Sequence, residues 1–234
     1  MIKEFKRIDG RKPSELRPMI AKVGVIPNAD GSAIFAFGDT MAIAAVYGPR
    51  KLHPQHMQDP STGILRCNYD LLSFSVSDRK KPGPSRRSQE ISKVTSWALL
   101  PALDLKGFPN TVIDVQIYIL QADAGTRTAG INAASMALAH AGIPMKDLIC
   151  SVAVGKLDKE IVADLTKDEE DFEEGEGSTD FAIAKIANSD EFTLLQLDGK
   201  IAPETVKEVM ELSKKVCKEI YETQKKALKE VIEK

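Results

Sequence analysis

Residues 110–135, NTVIDVQIYILQADAGTRTAGINAAS, are the stretch from which the fold can be read. Val112, Ile113, Val115, Ile117, Ile119 and Leu120 form a β-branched, apolar run suited to a buried strand. The run breaks at Ala124-Gly125 and restarts as a small, helix-compatible sequence from Ala129 to Ala141. Strand, glycine turn and helix in that order leave the amides of Gly125, Thr126 and Arg127 at a helix N-terminus, where no intrahelical acceptor exists. Such amides favour an anion, and Arg127 adds a fixed charge whose planar fork suits phosphate. On its own the turn is a weak signal, because an ordinary strand-to-helix connection with a surface arginine reads the same way.

Working outward, 234 residues are enough to bury a real core in one large domain or two small ones. Hydrophobic and charged contents of 43% and 28% are those of an ordinary soluble globular protein. The formal net charge of −2 provides no global attraction to nucleic acid, so any polyanion site must be a local patch. Cys67, Cys150 and Cys217 lie far apart with no CxxC pair, which argues against a zinc site or disulfide framework and suits a reducing compartment. The start MIKEFKR is charged from its third residue, unlike a signal peptide, and no apolar run approaches the ~20 residues of a membrane span. These features predict a soluble, cytoplasmic protein with no membrane partner.

In chain order, residues 1–17 read as a polar, basic arm with a turn at Asp9-Gly10-Arg11-Lys12-Pro13. Met19–Ile26, Ala33–Phe37 and Met41–Tyr47 are predicted strands separated by hairpin signals, the third ending at Gly48-Pro49. His53, His56 and Asp59 fall in a polar loop that also carries Pro54 and Pro60. No helical pattern there fixes a ligand geometry, and the residues read as a surface loop rather than a metal site. Ile64–Val76 is the next predicted strand. A cationic loop follows, with five basic residues in the nine positions from Arg79 to Arg87. Ser85 is a plausible N-cap, assisted by Ser88, for a helix over 88–104 whose apolar face carries Ile91, Val94, Trp97 and Ala98. Arg86 and Arg87 then project at a helix N-terminus, against the dipole, which a bound anion would explain better than solvated surface arginines do.

Leu148–Lys156 and Glu160–Leu165 read as one hairpin, and Phe181–Ala187 with Glu191–Leu197 as another. Between them, Lys167–Asp180 holds eight acidic residues in fourteen. A long amphipathic helix runs from Pro203 to about Ile232. The order predicts two βαβ-like halves, roughly 18–105 and 110–232. Cations and backbone amides to hold a phosphate, with carboxylates to protonate a leaving oxygen or hold a divalent metal, suit attack by phosphate or water on a phosphodiester. No Walker A motif and no Ser/His/Asp set competes with that reading.

Several segments together resemble the RNase PH family. They are Asp9-Gly10-Arg11-Lys12-Pro13-x-Glu15-Leu16-Arg17-Pro18, Gly38-Asp39-Thr40, the run from Pro82 to Ile91, the run from Leu120 to Thr128, and Ser151-Val152-Ala153-Val154-Gly155. Within the family, Tyr47-Gly48-Pro49-Arg50, His53-Pro54 and Pro82-Gly83-Pro84-Ser85-Arg86-Arg87 look more like the catalytic subunit of the archaeal exosome than like bacterial RNase PH. The resemblance implies an α+β, RNase PH-like fold over residues 1–234 as a single domain with mixed sheets, an N-terminal arm over 1–17 and a C-terminal helix over 203–233. It implies a phosphorolytic 3′→5′ exoribonuclease. Inorganic phosphate is the co-substrate, Mg2+ the implied cofactor, and nucleoside diphosphates the products, with RNA tailing as the reverse reaction. The implied partners are single-stranded RNA, an inactive paralogous ring subunit in a hexamer of three heterodimers, and RNA-binding cap subunits.

By the same resemblance, Arg86 and Arg87 contact the RNA backbone and phosphate, and Gly125, Thr126 and Arg127 cradle the attacking phosphate. Asp180 is a catalytic or metal-binding carboxylate. The second carboxylate is Glu174 by spacing, or Asp171 if the segment 172–178 is an expanded loop. Lys80 is a further RNA contact. The loop Asp59–Gly63 is neutral where relatives carry a basic residue facing the pore, which leaves Arg66 or His56 to compensate. A homohexameric RNase PH that trims tRNA 3′ ends, and a non-catalytic RNA-binding ring subunit, are the alternatives.

Overall fold

The computed structural model describes residues 7, 9–172 and 177–232. Its first sheet follows from alternation along β1 (Met19–Val23), β2 (Gly31–Phe37), β3 (Thr40–Lys51), β4 (Ile64–Leu71) and β5 (Thr111–Gln121), in the order β1-β2-β3-β5-β4. Neighbours are antiparallel except β4 and β5, which run parallel and are bridged by α1 (Arg86–Leu99), so this βαβ unit makes the sheet mixed. The second sheet, with strands β6 (Ile149–Leu157), β7 (Glu160–Ala163), β8 (Ser178–Ile186) and β9 (Phe192–Asp198), is antiparallel in the order β7-β6-β8-β9. The fold is mixed α+β, as the sequence predicts, but the halves divide later than residue 110. β5 buries Ile113, Val115, Ile117 and Ile119 on one face, turns Asp114, Gln116 and Tyr118 to the other, and lies between β3 and β4, so it completes the first sheet rather than opening the second.

Between the sheets lies α2 (Thr126–His140), buried from Thr128 to Leu138. A helix apolar or small on every side can be covered on every side. It packs on β2, β3 and β5 on one flank and on β6 and β8 on the other. Small residues allow this: a Cβ at Gly31 would lie 2.2 Å from Ala137 O, and one at Gly130 would lie 3.1 Å from Ile117. One apolar core runs from Phe35 and Ile117 through α2 to Val152, Ile183 and Ile220 of α4 (Pro203–Ile232). Asn132 mimics a strand edge inside it, exchanging two 2.8 Å hydrogen bonds with the Ser151 backbone and accepting a third from Gln224 of α4. Among the described residues, no helix is long and apolar enough to cross a membrane.

Several local predictions change: β1 stops at Val23 rather than Ile26, and α1 spans Arg86–Leu99 rather than 88–104. β3 does not end at Gly48-Pro49 but runs on to Lys51 through a cis Gly48–Pro49 peptide, its pairing with β5 shifting register between Tyr47 and Arg50. Proline has no N–H for the ladder, and Gly48 permits the close pass, since a Cβ there would meet Val112 O at 2.6 Å. β4 stops at Leu71, where a turn bonds Ser75 N to Leu72 O. Trp97 is 59% exposed, because the buried stripe of α1 is Ser88, Ile91, Thr95, Ala98 and Leu99; Lys93 Nζ lies 5.2 Å over its ring. His53 and His56 are exposed, and the described residues contain no group of three His, Cys, Asp or Glu placed to hold a metal ion.

Candidate active site

The Gly125 turn is held from behind. Ala124 and Gly125 both take left-handed φ, 53° and 61°, and Gly125 caps α2 with no side-chain acceptor. Its carbonyl accepts Ala129 N (3.1 Å) and Thr128 Oγ1 (2.8 Å). The amides of Gly125, Thr126, Arg127 and Thr128 have no hydrogen-bond acceptor among the described residues. Thr40 grips the other side of the turn. Its Oγ1 lies 2.7 Å from both Asp123 O and Ala124 O and accepts Asp123 N at 3.0 Å. Arg17 donates to Asp123 O (2.6 Å) and Asp123 Oδ2 (3.0 Å), while its other face makes a two-point pair with Asp164 (2.7 and 2.9 Å). Arg17 and Thr40, read in the sequence only as family motifs, therefore fix the turn's shape.

The acidic segment has an internal order that its composition hides. Thr166 and Glu169 form a capping box and start a short helix, α3 (Lys167–Glu170). Glu169 is fully buried and takes Arg7 on both oxygens at 2.7 and 2.6 Å, while Arg7 also donates to Ala163 O and Asp164 O. The amide of Lys167 donates to Asp123 Oδ1 at 2.9 Å, so α3 is docked on the anion turn. Ser178 Oγ closes the far end on Glu170 O (2.5 Å) and joins α3 to β8.

Asp180 stands on β8 opposite Gly155 and Asp198. A Cβ at Gly155 would fall 2.1 Å from Thr179 O, so only glycine lets β6 pass here. Burial pushes the Asp180 carboxyl up from 3.8 to about 6. The Glu170 charge adds to this, and the Arg127 and Arg87 charges oppose it. Its Oδ1 is buried without a hydrogen-bond partner among the described residues.

These groups line one cavity of about 510 Å³, which includes the Gly125–Thr128 turn, Arg87, Lys80, Lys167, Glu170 and Asp180. A second space of about 380 Å³ adjoins it, reached past Arg87, Lys167, Glu170 and Asp180 and lined further by Asp171, Ser178 and Asp198. Arg87 sits at the N-terminus of α1, which is capped by reciprocal Ser85–Ser88 bonds. Arg86, Arg87 and Arg127 have no hydrogen-bond or salt-bridge partner among the described residues.

The structure thus brings Gly125, Thr126, Arg127, Arg87, Lys80 and Asp180 together, with Lys80 paired to Asp70. Arg86 is exposed and does not line the cavity. Arg66 lies elsewhere, on the open face of the first sheet, in a two-point pair with Asp114 (2.5 and 3.0 Å). Asp171 lines only the smaller space and is bonded to Lys167 at 2.6 Å. Glu174 is outside the described residues. Sequence reasoning missed Glu170 and Lys167. The Thr166-x-x-Glu169 capping signal could have placed both on a helix beginning at the turn.

Residues 15–144 match domain 1 of the 3′ exoribonuclease family, RNase_PH, and residues 147–216 match its domain 2. The chain is 55% identical over 210 residues to the exosome complex component Rrp41 of Thermococcus kodakarensis, covering 90% of this chain and 83% of that one. It is 48% identical over 211 residues to Rrp41 of Methanopyrus kandleri, covering 90% and 87%. In fold it is similar to rice Rrp46 (TM-score 0.84, 24% identity, 95% of this chain and 100% of that one). A chain of the Archaeoglobus fulgidus exosome with RNA bound to the active site is also similar (TM-score 0.78, 22% identity, 93% and 92%). With both of its domains matched in order, and with relatives of that identity along nine-tenths of its length, the chain belongs to the 3′ exoribonuclease, or RNase PH, family.

Proposed function

We propose that this chain is the catalytic subunit of an archaeal-type exosome ring and degrades RNA from the 3′ end by phosphorolysis. The observation that carries the reading is one juxtaposition: free helix-start amides and Arg127 share a cavity with a carboxyl raised to about 6. Amides and cations hold monohydrogen phosphate at the turn. One phosphate oxygen forms a bond to the terminal phosphorus of the RNA, and the bond from that phosphorus to the neighbouring 3′ oxygen breaks. Arg87 and Arg127 offset the charge on the phosphoryl oxygens. Protonated Asp180 delivers a proton to the leaving 3′ oxygen and is recharged by the proton that the attacking phosphate carried, so protons balance and the product is a nucleoside diphosphate.

At neutral pH the free site holds about a tenth of Asp180 protonated, and a bound phosphate anion raises that share. In its ionised form Asp180, with Glu170, would instead hold Mg2+, which binds through one or two carboxylates plus substrate phosphates and would neutralise phosphoryl charge there, so proton delivery and metal binding are alternative roles of this one carboxyl. Arg86 and Lys80 extend the cationic path for single-stranded RNA, with Arg66 outside the cavity. A paralogous ring subunit and a cap as partners, and a place in the cytoplasm, belong to the same proposal; the relatives named as exosome components support membership of a multi-subunit complex.

The deciding assay identifies the products with and without inorganic phosphate. Nucleoside diphosphates that require phosphate support the proposal, and monophosphates released without it refute it. Purification with or without a paralogous subunit separates the exosome reading from a self-assembling ring that trims tRNA.

A further inference from the structure

We infer that Lys167 is a substrate-contacting cation that binds phosphoryl oxygens in the passage between the two spaces of the site. The inference rests on the phosphorolysis reading above. Lys167 is one of four residues that line both spaces, with Arg87, Glu170 and Asp180. Its backbone is bolted to the anion turn through the 2.9 Å bond from its amide to Asp123, which Arg17 holds in turn. Its ammonium is 2.6 Å from Asp171 Oδ1 and 3.4 Å from Glu170 Oε2, one helical turn further on. An ammonium has three donors, so these two partners leave one for a ligand.

Stability does not account for the arrangement. The Lys167 and Asp171 side chains are 54% and 61% exposed, and exposed helical ion pairs contribute little. A lysine at the first position of a helix also opposes the dipole. Asp171 and Glu170 both contact the Lys167 ammonium, beside the wall that the two spaces share. The carboxylate that faces Asp180 across that wall is Glu170, whose charge acts on Asp180 directly.

The test uses the full chain in its assembled ring, with initial rates measured against phosphate at saturating RNA and against RNA at saturating phosphate. Lys167→Ala is expected to raise one of these KM values about tenfold, the loss of one charge-assisted bond, while kcat falls far less. The affected substrate tells the attacking phosphate from the RNA phosphodiester. Lys167→Arg should recover most of the loss.

Unchanged KM values in Lys167→Ala would overturn the role of Lys167. Product analysis of the unaltered enzyme decides the underlying phosphorolysis separately, because monophosphates formed without phosphate would remove that reading whatever the variants do.

Discussion

Asp180→Asn should make the protein more stable while stopping its reaction. The Asp180 carboxyl is raised from 3.8 to about 6, and a raised carboxyl binds its proton more tightly in the folded chain than in the unfolded one. Its ionisation therefore costs stability above about pH 6, and the cost vanishes below about pH 4, where both states are protonated. In full the shift is worth about 3 kcal/mol at pH 8. Solvent at the cavity mouth and the nearby arginines reduce what a variant recovers to about 1.5 kcal/mol. For a chain of this size that is a rise in Tm of about 3–6 °C at pH 8. At pH 4 the difference should shrink to about 1 °C or less. Thermal melts of both forms across this range, beside a phosphorolysis assay, make the measurement. An Asp180→Asn variant less stable than the parent at pH 8, or one whose advantage is the same at pH 4 and pH 8, would refute the claim that a buried, charge-crowded carboxyl is the origin of the effect.

Two further outcomes test the scaffold behind the site. Arg7→Met strands Glu169 in the core and should cost about 3 kcal/mol, a fall of roughly 6–12 °C in Tm. Adding Glu169→Gln should return much of it, and a double variant no better than the single one would show that the charge was not the problem. Thr40→Val keeps the shape but takes the hydroxyl from Asp123 and Ala124, and should cost about 1–3 kcal/mol. It should also raise KM for phosphate more than it lowers kcat, because the turn it loosens is the proposed seat of the phosphate; steady-state rates against phosphate check this.

The strand, turn and helix of residues 111–140 were legible because period and composition agree along them: β-branched residues in β5, small ones in α2, and a glycine between. The Ser85 cap and the placement of Arg86 and Arg87 were legible for the same reason, since capping is local chemistry. Trp97 misled because an aromatic near an apolar stripe reads as core until the neighbouring sheet decides which stripe is covered. The acidic segment misled in another way. Eight carboxylate residues in fourteen are interchangeable to composition, yet Glu169 is a buried partner of Arg7, Asp171 is tied to Lys167, and Glu170 and Asp180 line the cavity together.

By itself the sequence determined which groups could bind a phosphate, because orphaned amides at a helix start and an arginine fork are properties of short segments. Only the tertiary structure decided which carboxyls stand beside them. That choice depends on the burial of Asp180, on the register of β8 against β6, and on a helix docked by Asp123 and Arg7 from distant parts of the chain, none of which a local pattern encodes.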